Sequence, residues 1–143
     1  MRVLLDTQVW LWWLGEPERL GRKVRELIGN GENALVFSVA SCWEIAIKVG
    51  LGKLTLPEPV DVWVPSRLAQ QGMTALPVEL AHVLRVAGLP QHHRDPFDRL
   101  LVAQAQVEGL PILTADPRFA DYGVDVIPAA ARQRVRVGAT APP

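Results

Sequence analysis

Short apolar runs alternate along this chain with stretches whose apolar positions recur every three or four residues, the pattern of buried strands followed by amphipathic helices. Arg2 to Leu5 is the first run. It stops on Asp6-Thr7, and Gln8 to Leu14 then takes helical spacing. Gly15-Glu16-Pro17 interrupts, Arg19 to Ile28 reads as a second helix, and Gly29-Asn30-Gly31 ends it before the apolar run Ala34 to Phe37. A third helix is predicted from near Ser38 to about Val49, with Gly50 and Gly52 stopping it. Pro57, Pro59 and Pro65 fragment the middle, where Val62 to Gln71 can still form a helix that leads into a short strand at Met73 to Leu76. Glu79 to Val86 reads as a short helix, Gly88 to Arg94 as a loop, and Pro96 to Glu108 as the strongest helix, closed by Gly109. Pro111 to Leu113 and Val124 to Ile127 are the last predicted strands.

Such alternation predicts an α/β fold with a mainly parallel central sheet and helices on both faces, because parallel strands need crossover connections. The domain is expected to occupy residues 1–131, with no internal repeat and no second domain. Residues 132–143 form an Arg-, Ala- and Pro-rich tail containing Arg132, Arg134 and Arg136, expected to be disordered at its end.

Composition narrows the classes. With 143 residues, 49% of them hydrophobic and 21% charged, the chain has enough apolar material for one core and is not a disordered sequence. Its 15 Lys+Arg balance 15 Asp+Glu, which excludes nucleic-acid binding by bulk charge and leaves a local basic patch open. Cys42 is the only cysteine, so there is no disulfide framework or Cys-based zinc cluster, and a cytosolic, reducing location is expected. No apolar run approaches the roughly 20 residues of a membrane span, and Asp6 interrupts any export signal.

The candidate chemistry lies in the acids. Asp6 and Asp116 each stand where a predicted strand stops, which is where ligands gather in open parallel sheets, although either could equally be a helix cap or turn residue. Asp98 shares a helix face with Leu101, Val102 and Ala105, so it either lines a cleft or closes a capping box whose N-cap is Asp95. Glu44 likewise lies with Ala40, Ile47 and Leu51, and could alternatively pair with Lys48 or box with Ser41. Four carboxylates gathered at one sheet edge would repel by about 3 kcal/mol per neighbouring pair. Few side chains are available to neutralise them. A hard divalent cation such as Mg²⁺ or Mn²⁺ suits oxygen ligands and leaves positions for phosphate.

Leu4-Leu5-Asp6-Thr7, Ser38-Val39-Ala40-Ser41-Cys42-Trp43-Glu44-Ile45, Asp95-Pro96-Phe97-Asp98-Arg99-Leu100-Leu101-Val102-Ala103-Gln104-Ala105 and Leu113-Thr114-Ala115-Asp116 together resemble the PIN domain, specifically the VapC-type ribonuclease toxins of bacterial toxin–antitoxin pairs. The resemblance implies a PIN-like fold and a metal-dependent endoribonuclease that inhibits translation. It places Mg²⁺ or Mn²⁺ on Asp6, Glu44, Asp98 and Asp116, with Thr114 as the polar residue beside the metals. It also implies a homodimer and a small VapB-like antitoxin that blocks the acidic cleft. A non-catalytic RNA-binding or scaffold PIN domain is the alternative, and none of the four acids is missing. A haloacid dehalogenase-type phosphatase wants a second Asp two residues after the first, where this chain has Gln8.

Other residues carry open readings. His92-His93-Arg94 could contact phosphate or be solvated, and Arg94, Arg99 and Arg118 could hold an RNA backbone or form a solvated face. Trp10 and Trp13 share a helix face while Trp12 points elsewhere, so the helix either is all core or shows an apolar surface to a partner.

Overall fold

The structure is a computed structural model and describes residues 1–131; the expected tail, residues 132–143, lies outside the described residues. Five strands form one all-parallel sheet: β1 (Arg2–Leu5), β2 (Ala34–Ser38), β3 (Thr74–Leu76), β4 (Ile112–Thr114) and β5 (Val126–Pro128). Their spatial order is β3-β2-β1-β4-β5. Leu5 is opposite Phe37 on one side and Leu113 on the other, and Leu113 is opposite Ile127. The order reverses at β1. In such a sheet the carboxyl ends of β1 and β4 open into the crevice where ligands bind.

Helices cover both faces. Alternate strand residues separate the core into two layers, as the period of a strand requires. Val3, Leu5, Phe37 and Leu113 pack under α1 (Thr7–Gly15), α2 (Arg22–Gly29), α3 (Val39–Gly50) and α4 (Val60–Gln70), through Val9, Trp10, Val24, Ile28, Ile45 and Trp63. Leu4, Val36 and Ile112 pack on the other side against Leu101, Val102 and Ala105 of α6 (Pro96–Glu108), joined by Phe119 and Tyr122. α5 (Leu80–Val86) lies on α6. A short 3₁₀ turn, Pro117–Tyr122, links β4 to β5.

The second predicted helix is divided. Pro17–Arg19 is a 3₁₀ turn, and α2 begins only at Arg22, because Leu20 and Gly21 run extended beside Ala129–Ala131. Gly21 donates to Ala129 O at 3.0 Å, Ala131 donates to Arg19 O at 2.8 Å, and Leu20 is buried there. The tryptophans divide too. Trp10 is in the core, 4.4 Å from the Phe37 ring and 5.5 Å from that of Trp63, while Trp12 and Trp13 are half-buried against the same cluster. Trp43 of α3 is exposed, at 61%, and meets the Phe97 ring edge-on with ring centroids 5.2 Å apart. No described helix is long and apolar enough to cross a membrane.

Candidate active site

Asp6 ends β1 and occupies the N-cap position of α1, yet its side chain makes no cap bond. Its Oδ2 instead accepts from Thr114 Oγ1 at 2.7 Å, and Thr114 Oγ1 accepts from Asp116 N–H at 3.1 Å, so one hydroxyl ties β1 to the turn after β4. Burial raises the Asp6 carboxyl above its ordinary range, the Thr114 bond opposes this, and the charges of Glu44 and Asp116 add to it.

Glu44 is carried by α3, whose start is fixed by Ser38 Oγ accepting from Ala40 N–H at 3.0 Å. Thr7 Oγ1 donates to Ser41 Oγ at 2.7 Å, holding α1 to α3. Glu44 is buried and its Oε2 meets Lys48 Nζ at 2.9 Å, the pairing one turn on that the spacing allowed.

Asp98 rides on the first turn of α6. Asp95 is the cap there: its Oδ1 accepts from Phe97 N–H at 2.8 Å and from Asp98 N–H at 3.3 Å, and Pro96 takes the first helical position. The reciprocal bond of a capping box is absent among the described residues, so the Asp98 carboxyl is left without a partner. Burial, then the charges of Asp95, Asp6, Glu44 and Asp116, raise it to about 7. All the other predicted acids therefore act on this one group. It lies in a cleft of about 520 Å³ that His92, His93, Arg94, Asp95 and Arg118 also line.

Asp116 has the opposite environment. Oδ1 accepts from Arg118 N–H at 2.9 Å and Arg118 Nε at 3.1 Å; Oδ2 accepts from Arg118 at 2.8 Å and from His93 Nε2 at 3.0 Å. The Arg118 bonds foremost, with His93, hold its carboxyl well below the usual carboxylate range.

Two sequence expectations need correction. His93 is neither solvated nor a free phosphate contact: it is buried, with Nε2 bonded to Asp116 Oδ2 at 3.0 Å and Nδ1 bonded to Tyr122 OH at 2.9 Å. Nothing in the spacing links it to a residue 23 positions on; only the turn that brings Tyr122 back under the loop does so. Arg99 is not a solvated or RNA-facing cation, because it is buried and donates to the carbonyls of Pro90 (2.8 Å), Val86 (3.1 Å) and Leu89 (3.3 Å). The shortage of neutralising side chains is also narrower than expected: Lys48 serves Glu44, Arg118 and His93 serve Asp116, and the uncompensated charge falls on Asp6 and Asp98.

The donor set therefore fits a hard cation. Asp6 and Asp98 have no cationic partner among the described residues, and one oxygen each of Asp98 and Asp116 and a ring nitrogen of His93 lie within 4.8 Å of one another.

Residues 3–125 match the PIN domain. The chain is 40% identical over 70 residues to Ribonuclease VapC16 of Mycobacterium tuberculosis, a match spanning 48% of this chain and only half (50%) of that protein. It is 30% identical over 120 residues to Ribonuclease VapC22 of the same organism, which covers 84% of this chain and 91% of that protein. In fold it is similar to a chain of VapBC2 from Rickettsia felis, solved bound to a DNA fragment from their promoter, with TM-score 0.68, 14% identity, and coverage of 90% and 99% of the two chains. The chain belongs to the PIN domain family and, within it, to the VapC-type proteins.

Proposed function

We propose that the protein is a Mg²⁺- or Mn²⁺-dependent endoribonuclease that acts in the cytoplasm as the toxin of a toxin–antitoxin pair and inhibits translation. Asp6, Glu44, Asp98 and Asp116 hold the cation. The observation that carries this reading is the half-buried, unpartnered Asp98 carboxylate, which lies with ligand atoms of Asp116 and His93 within 4.8 Å of one another, while Asp6 ends the neighbouring central strand. When bound, a divalent cation lowers the pKa of a water for attack and neutralises the phosphodiester. The chain's own contribution is positional: Thr114 orients Asp6, Asp95 fixes the turn that presents Asp98, and Lys48 restrains Glu44. Relatives named as VapC ribonucleases support RNA as substrate.

A small VapB-like antitoxin is the proposed partner. A groove of about 680 Å³ lined by Leu11, Trp12, Leu56 and Trp63, with Lys53, Arg67 and Glu16 at the same lining, suits an amphipathic segment. The exposed apolar side chains Trp43 and Leu51 support a homodimer.

Purified protein incubated with RNA should cleave it with Mg²⁺ or Mn²⁺ and not after chelation. Water as nucleophile leaves 5′-phosphate and 3′-hydroxyl ends, whereas attack by the RNA's 2′-hydroxyl leaves a cyclic phosphate. Cleavage that survives exhaustive chelation, or cyclic-phosphate ends, contradicts the mechanism; RNA binding without cleavage returns the scaffold alternative.

A further inference from the structure

Asp116 accepts more hydrogen bonds than a metal ligand can keep. A carboxylate offers about four lone-pair directions, and Arg118 N–H, Arg118 Nε, the Arg118 terminal nitrogen and His93 Nε2 occupy them. If Asp116 binds a cation, as proposed above, one donor must leave. His93 is locked, being buried, bonded to Tyr122 OH through its other nitrogen, and stacked on that ring at 5.4 Å. The Arg118 N–H is fixed by the turn it begins. The Arg118 guanidinium is free to go: its side chain is 59% exposed, its stem is flexible, and among the described residues it has no partner besides Asp116. It opens onto the cleft that holds Asp98.

We propose that Arg118 is a displaceable internal counter-ion: its guanidinium sits on Asp116 in the metal-free protein and, when Asp116 takes a divalent cation, turns to a phosphate of the bound RNA. The same planar fork that grips a carboxylate through two donors grips a phosphate equally well. Metal loading then completes the phosphate site, and by linkage phosphate strengthens metal binding.

Calorimetric titration of Mn²⁺ and of inorganic phosphate into the whole protein tests this. Arg118→Ala, an exposed substitution whose folding is checked by its melting curve, should bind Mn²⁺ about tenfold tighter than wild type, since it loses a competing charge-assisted pair. The Mn²⁺-loaded variant should bind phosphate several-fold more weakly than loaded wild type. Arg94→Ala, a cation of the same cleft without a bond to Asp116, is the control for general charge removal. Equal tightening in both variants overturns the proposal, as does unchanged phosphate affinity in Arg118→Ala. Unchanged or weaker Mn²⁺ binding by Arg118→Ala also overturns it. In that last case Asp116→Asn separates the causes: if it weakens Mn²⁺ binding, only the exchange fails, and if it has no effect, the metal site itself fails.

Discussion

Two aspartates three positions apart in sequence do different work at the start of α6. Asp95 satisfies backbone N–H groups, so Asp95→Asn should cost well under about 1 kcal/mol and Asp95→Ala about 1, with cleavage largely kept in the Asn variant. Asp98 makes no such bond, and Asp98→Asn should abolish most cleavage; equal activity loss in both Asn variants would place Asp95 in the site as well. The pH dependence follows from the sign of the Asp98 shift. An unfolded Asp titrates near about 3.9, and the folded one near about 7. The folded protein therefore holds an extra proton between those values. This stabilisation is complete below about pH 4 and is lost as pH rises through about 7. The metal-free protein should melt at a lower temperature at about pH 8 than at about pH 5.5, Asp98→Asn should flatten that slope, and Mn²⁺ should raise the melting temperature more at the higher pH. Melting curves of the two proteins with and without Mn²⁺ decide it, and an identical slope in Asp98→Asn contradicts the assignment.

α6 shows what a sequence can and cannot announce about an element. Asp95-Pro96 at its start and Gly109 at its end, the latter with φ +66°, are local signals whose physics is complete within a few residues, so its limits are readable. β1 and β2 are readable for the same reason, as unbroken apolar runs. Arg99 is not. Beside Asp98 it looks like a cation waiting for phosphate, and its burial depends on the loop after α5 returning three carbonyls to one guanidinium. His93 misleads in the same way, since its partners Asp116 and Tyr122 are contributed by a turn that has no apolar periodicity to predict it. The consequence for Arg99 is testable: Arg99→Ala should lower stability by at least about 2 kcal/mol through the lost charged hydrogen bonds. Mn²⁺ affinity of the folded fraction should not change. Urea unfolding alongside Mn²⁺ titration makes the comparison, and a weakened Mn²⁺ affinity in the variant would instead give Arg99 a part in the site.

Across the whole molecule, the sheet order could not be read from the strands, because an apolar run states that it is buried and not which neighbour it pairs with. The structure puts the first strand in the centre, between β2 and β4. Distant segments are joined as well: Ala129 to Ala131 clasp the segment from Arg19 to Gly21, so a chain truncated after Pro128 should be less stable than one truncated after Ala131 by melting temperature. The bond from Thr114 to Asp6 spans 108 residues, and this distance along the chain is also an interval of time. During synthesis Asp6 leaves the ribosome well before β4 and Asp116 and waits without its partner strand until they follow. A nascent chain that stops before β4 therefore lacks both the hydroxyl that holds Asp6 and the carboxylate of Asp116, and the cluster forms only when strands from distant parts of the chain have paired.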